Sequence, residues 1–378
     1  MPMECKFIRN GIRIKHDGFL APCCGYAGRS KHHFSDGFGS YLNSDFLDQL
    51  ENDLANNVWP SGCTDCRDDE QNKMLSLRQQ GMSDFKSTTG KFIDIVLGRE
   101  CNSDCVMCIP EQSSKIAARL KKHVPDFEIS DEDKIWFGSR DYDSSWVEKH
   151  EFWDRLNEML PELTTIKFLG GEPFLNKRLW KWFGDEKTQL YKKNIELILV
   201  TNGSIINPSH LKYLQGWKKL SISVSVDATE QHYEWIRHGL SWKKLNDNIG
   251  ILKTVPDVSI STVATVGLFN VSDLSNLIHW MLSKDCNISF IPIYAPSILS
   301  LDRSDPAIIA EAKSKVDPIR ANNIQDNIQL AGLKKYLQKA IDQNKHDPMM
   351  IKSMTTYYNN HRTYNLDWQS MRITARGS

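Results

Sequence analysis

The stretch KFIDIVLGRECNSDCVMC, Lys91 to Cys108, joins a short apolar run to a loop that bears three cysteines. Phe92–Leu97 has the β-branched and aromatic content of a strand. Working outward, similar runs recur at Thr165–Leu169, Ile195–Val200, Leu220–Val226, Val258–Val266 and Ile288–Ile293. Amphipathic stretches lie between them. One covers Trp146–Leu160, where Ser145 and Glu148 form a capping box and Trp153, Leu156 and Leu160 share a face. Another follows Ser241, with Trp242, Leu245, Ile249 and Leu252 on one side, and a third follows Ser272, with Leu274, Leu277, Ile278 and Met281. Six βα units in succession predict an α/β fold of parallel strands with right-handed crossovers, either an open barrel or a doubly wound sheet.

The flanks read differently. Residues 1–90 are rich in Gly and Cys. There Ile12 and Ile14, then His16-Asp17-Gly18, then Phe19-Leu20 predict a β-hairpin, and Phe46, Leu47, Leu50 and Leu54 predict a helix ahead of Trp59-Pro60. The first crossover, Cys108 to Thr165, is the longest, and its charged, aromatic segments Asp131–Trp136 and Asp141–Trp146 are placed to cover a site. Beyond Ser300 helical spacing returns at Ala307–Lys315 and at Asp326–Gln343, with Ile328, Leu333, Leu337 and Ile341. After Asp347 no periodicity is visible. The expected division is 1–90, 91–300 and 301–378.

Composition narrows the function classes. The 378 residues carry 47 basic and 47 acidic side chains, so no electrostatic footprint for nucleic acid is present and none is expected as a partner. No run reaches the ~20 apolar residues of a membrane span, and Met1–Lys6 lacks the apolar core of a signal peptide. A cytoplasmic location is expected, where thiols stay reduced. Eight of nine cysteines nevertheless fall within the first 108 residues, which points to metal or cluster ligation.

Cys101, Cys105 and Cys108 lie on a loop after the first strand of the βα array, the end where parallel α/β folds place their active sites. Three thiolates at this spacing can hold three irons of a cubane and leave the fourth open, as a catalytic metal centre requires. Zinc is the competing reading for Cys105 and Cys108 alone; the additional cysteine at three-residue spacing favours iron–sulfur.

This loop resembles the signature of the radical SAM superfamily, and later residues agree in order. Gly170-Gly171-Glu172-Pro173 is similar to the family motif whose backbone and Glu hold the methionine amino group of S-adenosylmethionine. Thr201-Asn202-Gly203 closes the third strand as the family's does. Ser225-Val226-Asp227 is similar to the family's ribose contact, and Arg237 to the arginine on the methionine carboxylate. Met107 stands where an aromatic residue often packs near the adenine. The resemblance covers about residues 91 to 295. It implies a partial (β/α)6 TIM-type barrel, with a small N-terminal cluster-binding domain before it and helices after it. It also implies reductive cleavage of S-adenosylmethionine to a 5′-deoxyadenosyl radical that abstracts hydrogen, with a reductant such as flavodoxin or ferredoxin.

Cys5, Cys23, Cys63 and Cys66 form a second set around the hairpin and a C-x2-C loop. This pattern resembles the twitch domain, the shortened SPASM domain that carries one auxiliary 4Fe–4S cluster, here N-terminal to the barrel; zinc is the alternative. Through that cluster the net reaction would be oxidative. Cys24 faces elsewhere in an extended segment, Cys286 reads as a core cysteine, and His32 and His33 read as solvated. The expected substrate is a small polar metabolite or a short peptide, the metabolite first. A precursor-peptide-modifying enzyme is the alternative, and a zinc-binding or ferredoxin-like non-catalytic protein is the rival of another class. The rival is disfavoured because Cys63/Cys66 and Cys105/Cys108 are about forty residues apart, beyond the ~15–20 of a zinc ribbon.

Overall fold

Alternating burial of β-branched and leucine side chains sets the strands. In a computed structural model, which describes residues 3–71, 75–84, 90–125, 127–131, 133–137 and 143–374, they are β1 (Gly11–Ile14), β2 (Leu20–Ala21), β3 (Lys91–Val96), β4 (Asp104–Cys105), β5 (Leu163–Leu169), β6 (Glu196–Thr201), β7 (Lys219–Ser225), β8 (Arg237–His238), β9 (Val258–Val266), β10 (Asn287–Pro292), β11 (Asn365–Asp367) and β12 (Arg372–Thr374). The six expected strands appear as β3, β5, β6, β7, β9 and β10. The chain divides into two compact units, Met1–Arg99 with Tyr142–Leu199 and His210–Leu220, and Glu100–Asp141 with Val200–Ser209 and Ser221–Ser378.

In the first unit the strand order is β6-β5-β3-β1-β2. The pairs β5/β6, β3/β5 and β1/β3 are parallel, and β1/β2 is the expected antiparallel hairpin. Strands from either side of residue 90 therefore share this sheet. β1 is hydrogen-bonded alongside β3, and Arg13 pairs with the buried Asp94 directly opposite it. The helix Asp45–Ala55 buries Leu47, Leu50 and Leu54 as its spacing predicts. The helix expected over Trp146–Leu160 is instead a 3-10 turn, Ser145–Glu148, an extended Lys149, and a helix His150–Met159, with no capping box. Two indoles account for the break. Trp146 Nε1 donates to His16 O at 2.8 Å, and Trp153 Nε1 takes Val147 O at 2.8 Å, an acceptor that a continuous helix would use itself. His32 and His33, expected to be solvated, are half-buried. The His32 ring packs on Tyr41 at 5.6 Å, and His33 lies against Phe34 at 4.4 Å while its Nδ1 accepts from Ser35 N.

In the second unit β10 runs parallel to β9, and β7 neighbours β9. Two short antiparallel pairs, β4/β8 and β11/β12, complete it. The helix Trp242–Leu252 buries Leu245, Ile249 and Leu252 of its predicted face and leaves Trp242 half-buried, and Leu274–Ser283 buries all four predicted residues. In the helix Ile324–Asp342, Leu330, Leu333 and Leu337 are buried, while Ile328 is exposed. The tail is ordered where no periodicity was visible. Asp347 accepts from Met349 and Met350 N–H and starts a helix Pro348–Asn359, and β11/β12 follow. This α/β arrangement with parallel strands is the class to which a partial (β/α)6 barrel belongs. Among the described residues no helix is long and apolar enough to cross a membrane. Of the long first crossover, Asp126, Glu132 and 138–142 lie outside the described residues.

Trp146 is 2% exposed and packs on Phe34 and Phe152 at 5.3 and 4.6 Å between ring centres. Its replacement in Trp146→Ala is expected to cost about 3–5 kcal/mol by large-to-small truncation, read as a fall in the urea midpoint. An unchanged midpoint would contradict this packing.

Candidate active site

The second unit carries the three-cysteine loop. Ser113 caps the helix Ser114–Lys122 by accepting from Ile116 N, and donates its hydroxyl to Ser103 O at 2.7 Å, which holds the loop to the helix start. Within the loop, β4 pairs with β8 so that Cys105 stands opposite Arg237 and Asp104 opposite His238. Arg237 Nη1 reaches Cys105 Sγ at 3.8 Å, and Ser103 Oγ lies 2.9 Å from the same sulfur. Arg237 Nε forms an ion pair with Asp227 Oδ2 at 2.6 Å, and both side chains are buried. Asp227 Oδ1 accepts from Thr265 N at 2.7 Å, and Asn270 donates to Asp227 O, so the end of β7 is tied to the end of β9.

Burial raises the Cys105 thiol pKa, and Arg237 partly offsets it. Burial also raises Cys108, and the neighbouring Cys105 and Cys101 raise it further. The desolvated Cys105 and Cys108 are poor thiolates until a cationic centre joins them. An iron cluster supplies that centre, so the donor set fits one. Asn202 donates to Asn102 of the cysteine loop at 2.9 Å, and Asn102 donates to Ser204 at 2.8 Å. Ser225, the last residue of β7, is half-buried.

The first unit carries the Gly-Gly-Glu-Pro turn. Gly170 and Gly171 have φ of +83° and +53°, and a Cβ on Gly170 would stand 2.2 Å from Val96 Cγ1, so β3 and this turn leave no room for a side chain. Glu172 is buried and its Oε1 accepts from Phe174 N at 3.1 Å, capping a 3-10 turn that begins at Pro173.

The second cysteine set also lies within the first unit. Burial lifts Cys5 to about 11, with Cys66 adding to it, and lifts Cys63 to about 12, with Cys5 and Cys66 adding. Cys23 is raised well above its usual value by burial, then by Cys24, Cys5 and Cys66. Cys5 and Cys66 thus lie within electrostatic reach of both Cys23 and Cys63. Cys24 is exposed. Among the described residues no three His, Cys, Asp or Glu side chains are drawn in tightly enough for one metal ion. Cys286 is buried ahead of β10, where it lines a cavity of about 380 Å³ with Arg320, Asn323 and Asp326.

Sequence reasoning passed over the charges that hold the thiol loop. Asp104, inside the loop, is bound by Arg119 and Arg362. The acid was visible between two cysteines; Arg362, 258 residues away, carried no local signal.

Comparison with known proteins supplies an independent reading. Residues 95–281 match the family model of the Radical SAM superfamily. The radical SAM cyclopropyl synthase TigE of Paramaledivibacter caminithermalis is 25% identical over 226 residues, covering 56% of this chain. That alignment spans 44% of TigE, less than half the relative's length. Among solved structures, Streptococcus suis SuiB bound to precursor peptide SuiA is 11% identical with a TM-score of 0.39, over 84% of this chain and 69% of SuiB. The radical S-adenosylmethionine methyltransferase TsrM of Kitasatospora setae is 9% identical with a TM-score of 0.36, over 54% of this chain and 36% of TsrM. The matched region includes the thiol loop, the Gly-Gly-Glu-Pro turn and the Asp227–Arg237 pair, and residues 95–281 belong to the radical SAM superfamily.

Proposed function

We propose that Cys101, Cys105 and Cys108 hold a 4Fe–4S cluster with one iron open to S-adenosylmethionine. Gly170, Gly171, Glu172, Pro173, Asn202, Ser225, Asp227 and Arg237 are the residues proposed to bind that molecule. The observation that carries the reading is the β4/β8 pairing, which seats a buried guanidinium beside the thiol loop. With cluster and S-adenosylmethionine bound, the chemistry supplied is one-electron cleavage to methionine and a 5′-deoxyadenosyl radical, which takes a hydrogen atom from substrate. The chain's own part is binding and orientation. Asp227, anchored by Thr265 N, holds Arg237 in place for a carboxylate ligand. The left-handed glycines of the turn open their backbone to a ligand amine.

Cys5, Cys23, Cys63 and Cys66 are assigned to an auxiliary 4Fe–4S cluster in a twitch-like N-terminal region. Four thiol donors would leave it no open iron, and its chemistry would be that of an electron acceptor for substrate oxidation. The substrate is a small polar metabolite or a short peptide, the metabolite first. TigE's name as a cyclopropyl synthase supports reaction at carbon. Substrate-dependent release of 5′-deoxyadenosine from separate metabolite and peptide pools tests the preference, and turnover with peptides only would reject it.

Three outcomes are expected. Anaerobic reconstitution gives iron and sulfide for two cubanes, and the Cys101→Ala/Cys105→Ala/Cys108→Ala variant keeps one of them and loses all S-adenosylmethionine cleavage. Bound zinc without sulfide or broad visible absorbance would overturn the assignment. In that same variant the remaining iron–sulfur signal disappears on further replacement of Cys63 and Cys66 by Ala; a signal that persists would move the auxiliary ligands elsewhere.

The third concerns Arg237. Arg237→Ala strands Asp227 as a buried unpaired charge, a loss of about 3–5 kcal/mol in stability, so Arg237→Lys is the cleaner probe. It keeps the charge and loses the planar fork. S-adenosylmethionine affinity should fall by about 1.5–3 kcal/mol, the scale of a charge-assisted hydrogen bond, in isothermal titration of folded protein. Unchanged affinity would remove Arg237 from the binding set.

A further inference from the structure

Asp104 lies between Cys101 and Cys105 and is 8% exposed. Arg119 Nε donates to its Oδ2 at 2.8 Å and to its Oδ1 at 3.1 Å. Arg362, 2% exposed, donates Nη1 to Oδ2 and Nη2 to the Asp104 carbonyl, each at 2.9 Å. Both guanidiniums lie over rings of the C-terminal helix: Arg119 is 5.4 Å from the centres of Tyr357 and Tyr358, and Arg362 is 5.2 Å from Tyr358. Arg119 Nη1 also donates to Tyr357 Oη at 2.5 Å, and Tyr358 Oη donates to Val106 O at 3.5 Å, within the cysteine loop. Residues 357–362 thus close over the loop that carries the thiols.

Charge arithmetic makes this more than a brace. One carboxylate faces two guanidiniums, so the triad holds one positive charge in excess, out of water. Arg119 and Arg362 each bond the Asp104 carboxylate directly, at 2.8 and 2.9 Å, so the count is one negative and two positive. His238, paired across from Asp104 in β4/β8, responds to the same surroundings: burial first, then Arg362, lowers it to about 4, so it adds no charge at neutral pH. A buried excess charge is costly without an opposing one. Three thiolates on a 4Fe–4S core bring net negative charge, and one unit more after reduction.

We propose that Arg119 and Arg362 are positioning residues which fix the cysteine loop through Asp104 and, by their excess positive charge, raise the reduction potential of the cluster held there. This rests on the reading that Cys101, Cys105 and Cys108 are its ligands. The direction follows from electrostatics: a nearby cation favours the more negative, reduced state, and net charge and burial are among the factors that set iron–sulfur potentials.

The test is an EPR-monitored redox titration of the reconstituted full chain, following the reduced-cluster signal that added S-adenosylmethionine perturbs. Arg362→Gln lowers the midpoint potential, Asp104→Asn raises it, and the Asp104→Asn/Arg362→Gln double variant, with the parent's net charge, returns it to the parent value. Equal potentials in all four proteins at full iron content, or a shift of one sign in every variant, would overturn the proposal. Should Arg362→Gln take up no iron, the other two decide: a raised midpoint in Asp104→Asn that returns in the double variant supports it, and equal midpoints in both refute it. Cys101→Ala separates the two readings. If the S-adenosylmethionine-responsive signal survives that change, the ligand assignment fails, whatever the charge series shows.

Discussion

The second unit's thiol loop is organised by charges that water no longer reaches. Arg237 and Asp227 sit 2.6 Å apart with almost no exposure, and stripping water from such groups costs several kcal/mol per ion before their attraction returns it. The surroundings are arranged to meet that cost. Thr265 N–H serves the second carboxylate oxygen, and Asn270 bridges the Asp227 and Thr265 carbonyls. Because each partner comes from the end of a different strand, satisfying the pair fixes β7, β8 and β9 together, and β8 in turn carries β4 and Cys105 with it.

Much of the fold was legible because its strands alternate with amphipathic helices, and period-2 and period-3.6 signals rarely masquerade as one another over such lengths. The six main strands lie within two residues of their expected bounds. What escaped notice did so for physical reasons. The Trp146–Leu160 stretch has helical spacing, but two indole N–H groups found backbone carbonyls first. The helix Pro348–Asn359 buries Ile351, Met354, Thr355, Tyr357 and Tyr358, a face too polar to stand out as a stripe. Its start was readable nonetheless, as Asp347 followed by Pro348 is a cap followed by a first-turn proline.

At the candidate site, the grouping of cysteines was visible and the electrostatics were not. Glu172 serves the fold as well as the candidate site. It caps a turn, as a buried acid at a strand end would do in any protein, and its neighbours have the left-handed backbone that a ligand contact would exploit. Asp227 is different. Its carboxylate is taken up by Arg237 and by Thr265 N–H. Pairing between residues so placed depends on strand ends meeting in space, which no local pattern encodes.

The parallel pairing of β1 with β3 has a consequence for how the chain is made. The first unit is assembled from three separate stretches, the last ending at Leu220, while the second unit has already begun at Glu100. At a synthesis rate of roughly 5–20 residues per second, Cys5 and Cys23 emerge about ten to forty seconds before Leu220 does. Gly11–Ile14 can pair with Leu20–Ala21 at once but lacks its parallel partner until Lys91–Val96 has emerged. A nascent chain released after residue 90 would therefore have lost the strands its hairpin folds against.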